Sequence, residues 1–178
     1  MTPASLITLE IVTPEGTRLT ERVRSLTAPS VEGELGILPG HRPLLAALRT
    51  GIVSYELEGD GRRVAVGTGM VEVYEDRAVL LTERFVRKED VDPVKARLEL
   101  READEALDHF EGDPASPEYA TLVGRELWAA AQLELHGDPP PPIVRTIVEF
   151  QARPVEDYSL AETPKADEGD QAVPPEHA

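Results

Sequence analysis

Near residue 88 the hydrophobic period of this chain changes from two to nearly four. That change divides it into a sheet-forming part and a helix-forming part. Before it, short aliphatic and β-branched runs alternate with turn residues. LITLEIV at residues 6–12 ends in TPEG, and VRSLTA follows at 23–28. GIVSYELEGDG at 51–61 runs into a turn from which RRVAVG returns, and MVEVYEDRAVLLTE at 70–83 repeats the pattern about a turn at 75–77. Regularly spaced short strands with Gly and Pro turns predict an antiparallel β-sandwich or barrel.

After residue 88, Asp92 followed by Pro93 has the form of a helix N-cap and first helical position. Ala96, Leu100, Ala103, Leu107 and Phe110 recur on one face. EGDPAS at 111–116 breaks the helix, and Ser116–Pro117 restarts it with the same capping logic. Val123, Leu127, Ala131 and Leu135 form a second row, widened by Trp128 and Ala130, and Gly137 stops it. The prediction is an αα-hairpin in which the small residues Ala96, Ala103, Gly124 and Ala131 let the helices approach. The remaining chain has a run of four prolines, then a stretch rich in Pro, Asp, Glu and Ala, a composition that favours disorder. The expected organisation is a β-sandwich at 1–87, a helical hairpin at 88–137, and a mostly disordered acidic tail at 138–178. Within the tail, IVRTIVEF at 143–150 alone has the apolar density to dock.

Composition narrows the chemistry. The chain has 178 residues, enough to bury a core. Only 4% are aromatic, so that core is built from Val, Leu, Ile and Ala. There is no cysteine, which excludes disulfides, thiolate metal sites and cysteine nucleophiles. A net charge of −16 argues against nucleic acid or anionic lipid as a partner. No apolar run approaches the ~18 residues of a membrane span. The acidic start MTPASLITLEIVTPEG is not expected to be a secretory signal. The histidines, His41, His109, His136 and His177, are too scattered for a metal motif. GTGM at 67–70 does not complete a phosphate-loop pattern and reads as glycines at a bend between strands. No catalytic motif, metal site or cofactor site is expected.

The segment EGELGILPGHRPLL, residues 32–45, concentrates Gly33, Gly36, Pro39, Gly40 and Pro43 among apolar residues. The plain reading is a wide loop shaped by Gly and Pro, with Leu38, Leu44 and Leu45 plugging the core. The block also closely resembles the most diagnostic segment of the epsilon subunit of the rotary F-type ATP synthase. LEIVTPEG near the start, GMVEV after a Gly pair, and AVLLTERFVRKEDVD leading into helices match in the same order. The resemblance covers roughly residues 6–137.

The resemblance implies a β-sandwich followed by an αα-hairpin, in a subunit that is not itself an enzyme. It implies a place in the central stalk, with the gamma subunit and the membrane c-ring as partners, and a role coupling proton flow to ATP synthesis. The location implied is the cytoplasmic face of the inner (plasma) membrane, peripheral and within a complex. Glu32, Glu34 and His41 take the positions of rotor-interface residues. The hairpin would reach the alpha and beta catalytic subunits and inhibit ATP hydrolysis. Some epsilon subunits bind ATP through [IL]-D-x-x-R-A; here VDPVKA assigns Asp92, Lys95 and Ala96 to that site. Lys95 stands where arginine is expected and lacks its planar fork, which argues for weak binding. The hairpin's basic residues, Lys95, Arg97, Arg101 and Arg125, are outnumbered by acids, which argues against inhibition through an acidic partner loop. A free-standing nucleotide-sensing regulator of an ATPase, and an unrelated β-sandwich binding module, are the alternatives.

Overall fold

In the computed structural model, residues 6–140 are described. Ten strands precede two helices: β1 (Ile7–Thr13), β2 (Gly16–Val23), β3 (Ser25–Ser30), β4 (Gly33–Ile37), β5 (Leu44–Leu48), β6 (Gly51–Leu57), β7 (Asp60–Val66), β8 (Gly69–Tyr74), β9 (Arg77–Thr82), β10 (Phe85–Arg87), α1 (Pro93–Asp108) and α2 (Pro117–His136). A short 3₁₀ turn, Lys88–Asp90, joins the two parts. The tail readings at 141–178 lie outside the described residues.

The strands are ordered β10-β7-β6-β3-β5-β8-β9-β1-β2, with β4 paired to β3. The sheet folds over on itself as the expected sandwich. Alternation sets the core: Ile7, Leu9 and Ile11 of β1 point inward with Val53, Val64, Val66, Val71, Val73 and Leu80. One pair departs from the antiparallel rule. β1 runs parallel to β9, Thr8 opposite Arg77 through Val12 opposite Leu81. Parallel neighbours need a long crossover, and seven strands intervene here.

Two hairpins turn tightly. Glu58 and Gly59 have φ of 51° and 94°, and Glu75 and Asp76 have φ of 45° and 55°. Each pair is closed by flanking partners, Leu57 with Asp60 and Tyr74 with Arg77. Two-residue loops with both φ positive are the type I′ turns whose twist matches that of the strands. Gly69 is required for another reason. A Cβ there would lie 1.9 Å from the Leu81 carbonyl oxygen, so β8 can cross β9 this closely only with glycine.

The helices start as capping chemistry predicts. The Asp92 carboxylate accepts from the amides of Val94 and Lys95, both at 3.0 Å, and the Ser116 hydroxyl accepts from the Tyr119 amide at 3.2 Å. Gly137, at φ 105°, ends α2 with its amide and that of Asp138 on the Leu133 carbonyl.

Several sequence expectations change. VRSLTA is not one strand: Val23 closes β2 and β3 begins at Ser25. Residues 32–45 are not a single loop, because β4 and the start of β5 fall within them. Glycine density hid these strands; β4 pairs only with β3, and Gly33 and Gly36 leave little side chain for a period to register. Leu38 and Leu45 do not plug the core but are more than half exposed, while Leu44 packs against it and Ile37 is buried. In α2 the buried face is turned from the predicted row: Leu127 is exposed and Glu126 is buried. Glu126, Ala129 and Leu133 join Ala131 and Leu135, because the helix packs against α1 as well as the sheet. Gly124 is not needed for close approach, since a Cβ there would meet nothing within 4 Å.

Candidate functional site

The segment at 32–45 is built as a hairpin tip followed by a corner. β3 and β4 pair from Leu26 with Ile37 to Ser30 with Gly33, leaving Val31 and Glu32 at the tip. The Ser30 hydroxyl accepts from the Glu32 amide at 3.2 Å. The tip is braced by β5, through the Val31 amide on the Ala47 carbonyl and the Arg49 amide on the Pro29 carbonyl, both at 3.1 Å. Glu34, opposite Pro29 in the ladder, is exposed, as is Glu32.

The chain then turns at residues 38–41. The Leu38 carbonyl accepts from the His41 amide at 3.1 Å, with Pro39 between them and Gly40 at φ 76°. Proline followed by a residue with positive φ makes this a type II turn, and it explains why glycine stands at residue 40. The Gly40 amide is donated to the Asp76 carboxylate at 2.6 Å. His41 is half-buried, with Nδ1 2.8 Å from the Arg42 carbonyl oxygen. A carbonyl only accepts, so Nδ1 carries the hydrogen and Nε2 is left for a partner. Glu32, Glu34 and His41 thus sit on one braced segment, with Val31 and Leu38 exposed among them. Apolar side chains flanked by carboxylates and an imidazole suit a protein surface better than a small ligand.

The outer face of the neighbouring strands carries an apolar row that sequence reading missed. On the outward side of β5, β8, β9 and β1, Ala47, Met70, Leu81 and Val12 are successive cross-strand partners. Leu45 lies two residues from Ala47 on that side, and Tyr74 extends it. Met70, Leu81, Leu45 and Tyr74 are exposed. The period-two alternation of MVEVY was the available signal: Met70 and Tyr74 occupy the face opposite Val71 and Val73.

The opposite outer face is covered. Ile52, Ala65 and Val86 form a matching row across β6, β7 and β10. Trp128, Ala131 and Leu135 of α2 pack on it with Val91. Arg84 stacks on Trp128 at 5.8 Å, and Arg63 pairs with Glu134 at 2.7 Å.

The residues assigned to nucleotide are arranged differently. Asp92 is the cap of α1, Lys95 is exposed and pairs with Glu99 at 3.9 Å, and Ala96 is buried. They occupy the same helical turn, but the Asp92 oxygen is already engaged by two amides. The basic residues of the two helices also meet carboxylates of this chain: Arg97 with Asp138, Arg101 with Glu105, and Arg125 with Glu102. His109 and His136 end different, antiparallel helices, and no group of three potential metal ligands occurs among the described residues.

Comparison with known proteins agrees with this geometry. Residues 6–88 match the family model for the ATP synthase delta/epsilon chain, beta-sandwich domain. The ATP synthase epsilon chain of Magnetococcus marinus is 41% identical over 128 residues, 71% of this chain and 91% of the relative. ATP synthase epsilon chain 2 of Syntrophotalea carbinolica is 36% identical over 134 residues, 75% and 96% of the two chains. Among solved structures, a chain of the Euglena gracilis mitochondrial ATP synthase, in a structure of OSCP/F1/c-ring, superposes with a TM-score of 0.54 at 25% identity. That match covers 75% of this chain and 79% of the other.

Proposed function

Since this chain belongs to the ATP synthase epsilon-chain family, we propose that it acts as a non-catalytic subunit of the central stalk, linking gamma to the membrane c-ring and coupling proton flow to ATP synthesis. The observation that carries this reading is the apolar row of Ala47, Met70 and Leu81, exposed among the described residues with Leu45 and Tyr74 beside it, which adjoins the braced segment bearing Glu32, Glu34 and His41. A monomer gains nothing from exposing such a row; a partner's apolar surface gives it a use. The row takes gamma, and the braced segment takes the ring, where a preformed turn lowers the ordering cost of binding. The subunit works at the cytoplasmic face of the inner (plasma) membrane, held there by its complex. No described helix is long and apolar enough to cross a membrane.

Two further family roles are weakened by this chain's own residues. With Asp92 serving as a cap and Lys95 in place of arginine, ATP binds no tighter than about millimolar, roughly −4 kcal/mol. Micromolar affinity by calorimetry would overturn that. With the hairpin's basic residues engaged in cis, contact with an acidic loop of a catalytic subunit is weak.

The test of the main reading is co-purification. The tagged full chain, expressed with the other subunits, should bring down gamma and ring subunits together. A chain recovered free of both, while the complex assembles without it, would leave only the regulator or binding-module alternatives.

A further inference from the structure

We propose that Asp76 is a positioning residue that fixes the corner at residues 38–41 in its partner-ready shape; this rests on the interface reading of residues 32–41. The corner is a type II turn, in which the central peptide, here between Pro39 and Gly40, is flipped relative to a type I turn. Pro39 permits either form, and glycine at residue 40 favours type II. That bias is held in place from across the sheet, by the Asp76 carboxylate, which accepts the Gly40 amide of that peptide at 2.6 Å. A flipped peptide would turn its carbonyl toward the carboxylate and repel it.

Asp76 is well anchored for this task. It is the second residue of the β8–β9 turn, with φ 55°, and its carbonyl accepts from the Thr8 amide at 2.8 Å. The adjoining Arg77 donates to Glu10 at 2.7 Å, and this hydrogen bond pushes the guanidinium further above its usual range. The acceptor is thus fixed to the rigid end of three strands. Its identity points the same way. In the other type I′ turn the equivalent position is Gly59, the residue that conformation favours. At residue 76 the chain keeps a side chain where glycine would relieve the backbone. Asp is among the few residues that tolerate this conformation and also supply an acceptor.

Two substitutions separate backbone from side chain. Asp76→Gly suits the turn but removes the acceptor. Asp76→Asn keeps both an acceptor oxygen and tolerance of positive φ. Hydrogen exchange of the Gly40 amide is measured in the full-length subunit, and affinity is measured for the gamma–c-ring subcomplex. The expected result for Asp76→Gly is an unchanged melting temperature, Gly40 exchange faster by about tenfold, and affinity lower by several-fold. Asp76→Asn should restore both. Unchanged Gly40 exchange in Asp76→Gly would overturn the proposal outright. Faster exchange with unchanged affinity would overturn it too, provided Glu34→Ala/His41→Ala does weaken binding. If that double variant also binds normally, it is the interface reading that has failed, and the positioning role falls with it.

Discussion

On the outer face of β6, β7 and β10, Ile52, Ala65 and Val86 lie beneath Trp128, Ala131 and Leu135. On the outer face of β5, β8 and β9, Leu45, Met70 and Leu81 remain exposed. Both sets lie on the side facing away from the core, but only the covered one is an unbroken row; on the exposed face Met70 pairs with Leu81 while Leu45 stands opposite Glu72. They differ also in their cover. One is covered by the chain's own second helix, which returns over it after α1. The other has no cover among the described residues. An apolar row on a sheet thus has two possible meanings, and only the position of the hairpin tells them apart.

The largest effect should come from breaking the covered face. Ala131→Glu places a carboxylate against Ala65 and Val91, and the cost of burying it, about 3–5 kcal/mol, should undock the hairpin. Trp128 is the only tryptophan, so its emission should shift to the red while the sandwich still melts cooperatively. An unshifted emission would mean that this packing does not hold the hairpin.

The mirror experiment sharpens the contrast. Met70→Thr with Leu81→Thr on the uncovered face, two good strand formers that keep the pairing neutral, should leave Trp128 emission and unfolding midpoint unchanged. Binding to gamma should weaken by about 2–4 kcal/mol, read by calorimetry. If the double variant binds gamma normally, the exposed row is not the gamma surface. A smaller effect, about 1–2 kcal/mol, is expected for Glu34→Ala with His41→Ala on assembly with the ring. Proton pumping per ATP hydrolysed in vesicles should fall with it, and wild-type coupling would remove the interface assignment. Smallest is Arg63→Ala. Its ion pair with Glu134 is half-exposed, and its loss should loosen the hairpin by about 0.2–1 kcal/mol. Because salt screens such a pair, the difference from wild type should vanish at high ionic strength.

What the sequence made legible was local. Asp92–Pro93 and Ser116–Pro117 placed both helix starts, because a cap and its first turn are adjacent in the chain. The hairpin about Glu75 and Asp76 was visible from turn chemistry and alternation. The fold class and the braced segment followed from such signals and from family resemblance. What escaped was non-local. The link from Asp76 to Gly40 spans half the sandwich. Glu126 faces inward although a helical row drawn on apolar residues would put Leu127 there. The exposure of Leu38 and Leu45 is set by how β4 and β5 lie against the rest of the sheet, which their apolar character does not report. The placement of Glu32, Glu34 and His41 on one segment was readable; the means by which the corner is held was not.

The parallel pairing of β1 with β9 has a consequence for how the protein is made. β2 can meet β1 as soon as both have left the ribosome, but the other edge of β1 waits for one of the last strands of the sandwich. Such a long-range closure slows folding and delays burial of Ile7, Leu9 and Ile11 until β9 has been synthesised. The nascent sandwich should therefore gain resistance to protease in one late step, once residues beyond Thr82 have emerged. Gradual protection, strand by strand, in nascent chains of increasing length would show that the early hairpins fold independently of this closure.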